Sequence, residues 1–241
     1  MRARRNAYPE CCEYCGVAVG RDADGNARPG YRYADGRAIC AGCHASAIKT
    51  AEQLRAVWQQ VARTFERLGL TVDWHRLPVQ MLDKPVLQRE AGRGNVVGLA
   101  HSLSTALTVS SRVSILYGMP ATLAALTLGH EAGHVWCREQ RVRFDPPERE
   151  EGFANVLACL VLRDLPGADA RHAIERLFAD PDPVYGKLFR DQWALLQQLG
   201  WEAYREQVRN ANQGAWRMRW FGSRQTAACL PRPGGVSRMC G

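Results

Sequence analysis

Apolar residues along this chain recur at two periods, and the changes of period mark its elements. Across residues 48–68, Ala51, Leu54, Val57, Trp58, Val61 and Phe65 return every three or four positions, the spacing of one buried helix face. Four short apolar runs follow, at 71–74, 77–82, 95–100 and 112–117, and read as strands. From Pro120 to about Gln140 the spacing is helical again, with the proline in the first turn, where its missing N–H costs nothing. Arg143-Phe-Asp-Pro-Pro ends that helix, because a residue before proline avoids helical backbone angles. A second helix opens at Glu148 and is stopped by Leu165-Pro-Gly. Residues 172–178 and 188–208 read as two more. Strands that precede a long apolar helix predict an α+β fold with a short sheet packed on that helix.

The long helix carries the chemistry. In Leu128-Gly-His130-Glu131-Ala-Gly-His134-Val-Trp, the two histidines are four apart and share a helix face, so both imidazoles reach one metal ion. Glu131 then lies beside a metal-bound water. Two core histidines satisfied only by hydrogen bonds would be the bland alternative. Burying them with a glutamate and no metal leaves costly unpaired polar groups. A catalytic zinc has three protein ligands and one open position. The next helix begins with Glu148, Glu150 and Glu151, the charge preferred at a helix N-terminus and so equally consistent with capping. Glu151 is the expected third ligand, because Gly152 and the apolar run from Phe153 turn it inward while Glu148 and Glu150 stay in water. Glu150 is the alternative. Asn155, one turn on, is placed to hold a ligand from behind. The grouping reads as the core of a zinc peptidase, with Glu131 as its base.

A second metal signature lies near the start. Cys12-Glu-Tyr-Cys15 and Cys40-Ala-Gly-Cys43 are two knuckles separated by twenty-four residues, and four thiolates suit a closed structural zinc site. Between them, Gly30 to Cys40 reads as a hairpin turning at Asp35-Gly36. Cys11 is a possible substitute for Cys12, but only Cys12 keeps the two-residue gap to Cys15. Cys40-Ala-Gly-Cys43-His44 also fits a c-type haem attachment, which requires export, and no apolar leader precedes it. A zinc ion held by four thiolates contributes about 10–16 kcal/mol of apparent binding energy to a segment too small for its own core.

Composition narrows the rest. The formal charge is +8 over 241 residues, carried mostly by arginine. Only Trp216-Arg-Met-Arg-Trp-Phe interleaves basic and aromatic residues, so nucleic acid is not the expected partner. No stretch spans a membrane, since the longest apolar run contains Pro120 and the metal motif. The cysteines outside the knuckles show no disulfide framework, which points to a reducing cytoplasm. The chain divides into a zinc module at 1–46, a catalytic region at 47–212 and a basic Gly/Pro-rich tail at 213–241.

The run from Ile115 to Trp136, followed by Glu150-Glu151-Gly152, resembles the peptidase domain of the plant LIM-domain, ubiquitin-activated organ-size regulators and its bacterial relatives. The four-cysteine segment is similar to one zinc module of a LIM domain. The resemblance implies a gluzincin-like peptidase domain in which His130, His134 and Glu151 hold zinc and Glu131 activates water. Weaker similarity through Tyr185-Gly-Lys-Leu-Phe-Arg190 makes Tyr185 the candidate oxyanion donor, with His172 or Arg190 as substitutes. It implies two Zn2+ ions, one catalytic and one structural, a protein or peptide substrate, and a protein partner reached through the zinc module. No acidic ubiquitin-interacting helix is evident in the chain. A non-catalytic adaptor and a basic protease acting on DNA-associated proteins are the competing readings. The adaptor has no need of Glu131, and the second would favour a histidine as third ligand.

Overall fold

The computed structural model describes residues 10–21, 24–92, 94, 96–104 and 109–210. The expected tail at 213–241 and Asn95, the first residue of an expected strand, lie outside the described residues. The chain is a mixed α+β structure with its cysteine cluster near the N-terminal end.

The cysteine segment is built from β1 (Glu10–Cys11), β2 (Ala18–Arg21), β3 (Ala27–Arg28), β4 (Gly30–Arg32), β5 (Ala38–Cys40) and α1 (Ala41–Ala45). Strands β4 and β5 pair antiparallel, and Asp35-Gly36 turns the hairpin with Gly36 at φ 89°. A positive φ is what glycine provides at no steric cost. Inside the turn, Arg37 is 2% exposed. Its guanidinium ion-pairs with Asp35 at 2.8 Å, donates to the Tyr14 hydroxyl at 2.5 Å and lies 4.6 Å from the centroid of the Tyr33 ring. A buried cation with each of these partners is tolerated where a lone one is not.

Helix α2 (Ala51–Arg67) opens on a capping box between Thr50 and Gln53 and buries Leu54, Trp58, Val61, Ala62 and Phe65 on one face. Residues 71–74, expected to form a strand, form a turn instead. Trp74 is fully buried beneath α2, and its indole N–H donates to the Leu70 carbonyl at 2.8 Å while its own carbonyl accepts from the Trp58 indole at 3.0 Å. Satisfying two buried indoles outweighs the β-propensity of this short run. After β6 (Val79–Leu82) comes a helix that hydrophobic spacing did not reveal, α3 (Lys84–Ala91). It has a proline in its first turn and Gly92 in the left-handed conformation just past its end, the usual pair of helix boundary signals.

Strands β6, β7 (Gly98–Ser104) and β8 (Val109–Leu116) form the sheet in the order β6-β8-β7, with β6 parallel and β7 antiparallel to β8. Helix α4 (Ala121–Glu139) packs on β7 and β8 and is buried without interruption from Ala124 to Cys137. Helix α5 (Arg149–Arg163) runs against it, and α6 (Ala168–Ala179), a π turn at Pro183–Lys187, α7 (Leu188–Leu199) and α8 (Trp201–Asn210) complete the described chain. The single helix expected at 188–208 breaks at Gly200, whose φ of 76° and ψ of 165° are not helical. Among the described residues no helix is long and apolar enough to cross a membrane.

Small residues let α4 and α5 come close. A Cβ placed on Gly129 would sit 3.2 Å from the Ala158 Cα, and one on Gly133 3.2 Å from the Ala154 Cα. Those glycines are one helical turn apart, as are the two alanines, so the helices meet along a small-residue seam beside the histidines. Overfilling such a seam costs roughly 1–3 kcal/mol. Gly133→Val is therefore expected to lower the unfolding free energy by about 2 kcal/mol or more in urea titration. Unchanged stability would show that the seam does not hold the two helices together.

Candidate functional site

Helix α4 presents His130 and His134 from its buried middle, and the first turn of α5 brings Glu151 to them. The His130 and His134 Nε2 atoms are 3.1 Å apart, and the Glu151 Oε2 lies 3.2 Å from the first and 3.5 Å from the second. Zinc bonds of about 2.0–2.1 Å in a tetrahedron place ligand atoms roughly 3.3–3.4 Å from one another. The triangle has the right size.

Hydrogen bonds fix which nitrogen of each imidazole is free. Asn155 donates its Nδ2 to the Tyr185 carbonyl at 2.9 Å, so its Oδ1, 2.8 Å from His130 Nδ1, must accept. His130 therefore carries its proton on Nδ1 and leaves the Nε2 lone pair for the centre. A Glu150 carboxylate oxygen accepts from His134 Nδ1 at 2.7 Å with the same result. Two lone pairs and a carboxylate then converge in a buried space, which only a cation or a proton reconciles. Burial alone would lower the pKa of His134, yet its hydrogen bonds to Glu150 and Glu151 push it up to about 10. Burial likewise opposes ionisation of Glu151, but the neighbouring His130 and His134 imidazoles hold its carboxyl far below the usual carboxylate range.

Glu131 sits one residue from His130 and is fully buried. Neither of its carboxylate oxygens has a hydrogen-bond partner among the described residues. Burial raises its pKa against the opposing charges of His130 and His134. Beside it runs β7, the free edge of the sheet. Because the Leu116 N–H donates to the Val97 carbonyl, the intervening Gly98, Ala100 and Ser102 turn their backbone groups away from β8. Arg138, one turn beyond His134, donates to the Ala100 carbonyl at 2.9 Å and pins the strand to α4. A Cβ on Gly98 would lie 2.6 Å from Glu131 Oε1 and 2.4 Å from the Thr127 methyl. Glycine is what lets the edge strand touch the Glu131 carboxylate.

The four knuckle cysteines form the second cluster, with their sulfur atoms within 4.8 Å of one another and the Cys15 and Cys40 sulfurs 3.5 Å apart. Thiolates on zinc at about 2.3 Å stand roughly 3.8 Å apart. The Cys43 N–H donates to Cys40 Sγ at 3.5 Å, and the Gly16 N–H to the Cys12 carbonyl at 2.9 Å, which shapes each knuckle. A hydrogen bond from Cys43 draws the Cys12 thiol down to about 4, while burial pushes Cys15 up to about 11. Four sulfurs gathered this closely are a donor set suited to a divalent cation. His44 stacks on Tyr31 with ring centroids 4.3 Å apart. Cys11 is disulfide-bonded, contrary to the expectation of free thiols throughout.

Glu151, not Glu150, joins the histidines, and Glu150 is not in open water as expected but orients His134. Neighbouring glutamates on one turn look alike in sequence. A glycine inside an apolar strand was the available signal for Gly98, since it often marks close backbone approach. Tyr185 is tied to the site through its main chain: its N–H donates to Asp182 at 2.8 Å and its carbonyl holds Asn155. Of the substitutes for Tyr185, Arg190 donates to the Phe178 and Asp180 carbonyls, and His172 pairs at the surface with Glu175 at 3.6 Å.

The chain is distantly similar to the DA1 proteins of Arabidopsis thaliana. Protein DA1 is 26% identical over 160 residues, 52% of this chain and 30% of that protein. Protein DA1-related 1 is 26% identical over 161 residues, 52% and 29% respectively. Protein DA1-related 2 is 24% identical over 172 residues, 55% and 31%. The chain thus spans about a third of the length of these relatives. No family model matches the chain, and no solved structure matches it significantly.

Metal analysis of the purified chain is expected to find two zinc ions. His134→Ala should lose one and keep the other, while Cys40→Ser should do the reverse. Retention of both ions by either variant would break the assignment of its cluster.

Proposed function

We propose that the chain is a zinc-dependent metallopeptidase of gluzincin type that hydrolyses peptide bonds of a cytosolic protein or peptide substrate. His130, His134 and Glu151 hold the catalytic zinc, and Cys12, Cys15, Cys40 and Cys43 hold a structural one. The observation that carries this reading is the Glu131 carboxylate, fully buried next to the ligand triangle with both oxygens lacking partners among the described residues. A buried charged group without hydrogen bonds costs more than the roughly 1–3 kcal/mol of a neutral one. Such a cost is retained where the group has a reacting partner. An adaptor with two structural metals gains nothing from it.

A zinc ion bound by these three residues would supply a Lewis acid and would lower the pKa of water from about 15.7 toward about 7. Glu131 accepts the proton of the attacking water and returns it to the departing amine. Asn155 and Glu150 keep each imidazole turned with Nε2 inward. The outward-facing backbone of Gly98 aligns an extended substrate by strand addition, next to the base. Tyr185 is assigned the developing oxyanion, on the strength of its family-like motif and its link to Asn155. Free thiols at the four ligand positions favour a reducing compartment, and the Cys11 disulfide points the other way.

Glu131→Gln should retain two zinc ions and lose casein cleavage by about 10²–10⁴-fold. Cleavage at the parent rate would rule out this mechanism. Gly98→Ala, which drives a methyl group against Glu131, should cut turnover at least about tenfold with metal content unchanged, since small misplacement of a catalytic group is costly.

A further inference from the structure

A cavity of about 910 Å3 lies between the cysteine module and the helices. Its apolar lining includes Val97, Leu116, Met119, Leu123, Leu126 and Leu177, while Gly42 and Cys43 form part of the module wall. Packed interiors leave no voids of this size, and ligand sites are commonly about 300–1,000 Å3. Three of the cavity's lining residues lead to the histidine site. Leu126 is one turn before His130 on the same face of α4. Asn155, which holds His130, lines it. Val97 immediately precedes Gly98, the residue that abuts Glu131. Its cations are already engaged, Lys84 with Glu13 at 3.0 Å and Arg176 with the Tyr14 carbonyl at 3.0 Å. The apolar residues make up the greater part of its exposed lining, alongside acidic groups such as Asp169 and Asp182.

We propose that this cavity seats apolar side chains of the peptide next to the scissile bond, so that the cysteine module is a wall of the substrate cleft and selects the substrate. The module is also built into the catalytic region. Ile48 N–H donates to the Met119 carbonyl, Ala121 N–H to the Ser46 carbonyl, and the Tyr33 hydroxyl to the Gly118 carbonyl. Those joints lie between the end of β8 and the start of α4, where Leu116, Met119 and Pro120 line the cavity. A strand added along β7 turns alternate side chains to one side, and large apolar ones gain from leaving water there. The proposal rests on the hydrolase reading for the identity of its ligand.

Two substitutions fill the cavity from opposite walls. Leu123→Trp acts from α4. Gly42→Trp acts from the module, at a position where an added Cβ meets nothing within 4 Å. In full-length Glu131→Gln protein, fluorescein-labelled peptides with alternating leucine and serine are compared with alanine-serine counterparts by fluorescence anisotropy. The leucine peptide should bind at least about tenfold more tightly, and each tryptophan should abolish that preference while both zinc ions stay bound. In the active protein, casein cut sites mapped by mass spectrometry should be flanked by Leu, Phe or Met, and the tryptophan variants should shift them toward small side chains with raised KM. Equal binding of the two peptides, or a leucine preference untouched in a tryptophan variant that keeps its zinc, overturns the proposal. Cleavage without apolar preference leaves the hydrolase standing and removes the cavity's role. Leucine-dependent binding without any cleavage leaves the cavity standing and removes the hydrolase.

Discussion

Two imidazole lone pairs face one another across 3.1 Å inside a buried space, with a carboxylate closing the triangle. Left alone, that arrangement is repulsive, and the surrounding structure is organised to enforce it. Asn155 and Glu150 each accept a hydrogen bond from the far side of a ring and so remove the alternative tautomers. The Gly129–Gly133 and Ala154–Ala158 seam brings α5 near enough to deliver Glu151. The π turn at Pro183–Lys187 holds Asn155 through the Tyr185 carbonyl, so the ligand cage is braced from a third element. Each of these devices costs packing freedom, and the three groups they bring together could hold a metal ion.

Much of the site was legible because helical spacing is rigid. Histidines four apart on an apolar helix must share a face, and the helix observed at Ala121–Glu139 sits within a residue or so of the expected one. Paired cysteine knuckles around a hairpin are equally constrained by local geometry, and the Asp35-Gly36 turn is found where expected. Two adjacent glutamates are harder, since which of them turns inward depends on where α5 begins against α4. Residues 71–74 mislead because their alternation resembles a strand, whereas the requirement to satisfy two buried indoles is invisible until Trp58 and Trp74 are brought together. Gly200 breaks a helix whose apolar periodicity runs on through it. The closeness of Gly98 to Glu131 is a long-range fact, carried by sheet order and by Arg138, and no local pattern contains it.

The cysteine module changes meaning once its contacts are known. As a sequence it is a small zinc knuckle pair beside a larger region. In the fold, its Tyr33 hydroxyl reaches the turn after β8, and residues 46–48 bond to the chain entering α4. The loops that carry the four cysteines are thereby tied to the helix that carries His130, Glu131 and His134. Distant similarity to the DA1 proteins covers about half of this chain, and the geometry adds a group of two imidazoles and a carboxylate that could hold a metal ion, with the buried Glu131 carboxylate next to it.

Anomalous diffraction at the zinc absorption edge, from crystals of the full chain, tests the central claim most directly. One peak is expected bonded to His130 Nε2, His134 Nε2 and a Glu151 oxygen at about 2.0–2.2 Å, and a second among the four cysteine sulfurs at about 2.3 Å. A crystal of zinc-replete protein with no peak between the two imidazoles, or with Glu151 turned out of the triangle, would contradict it.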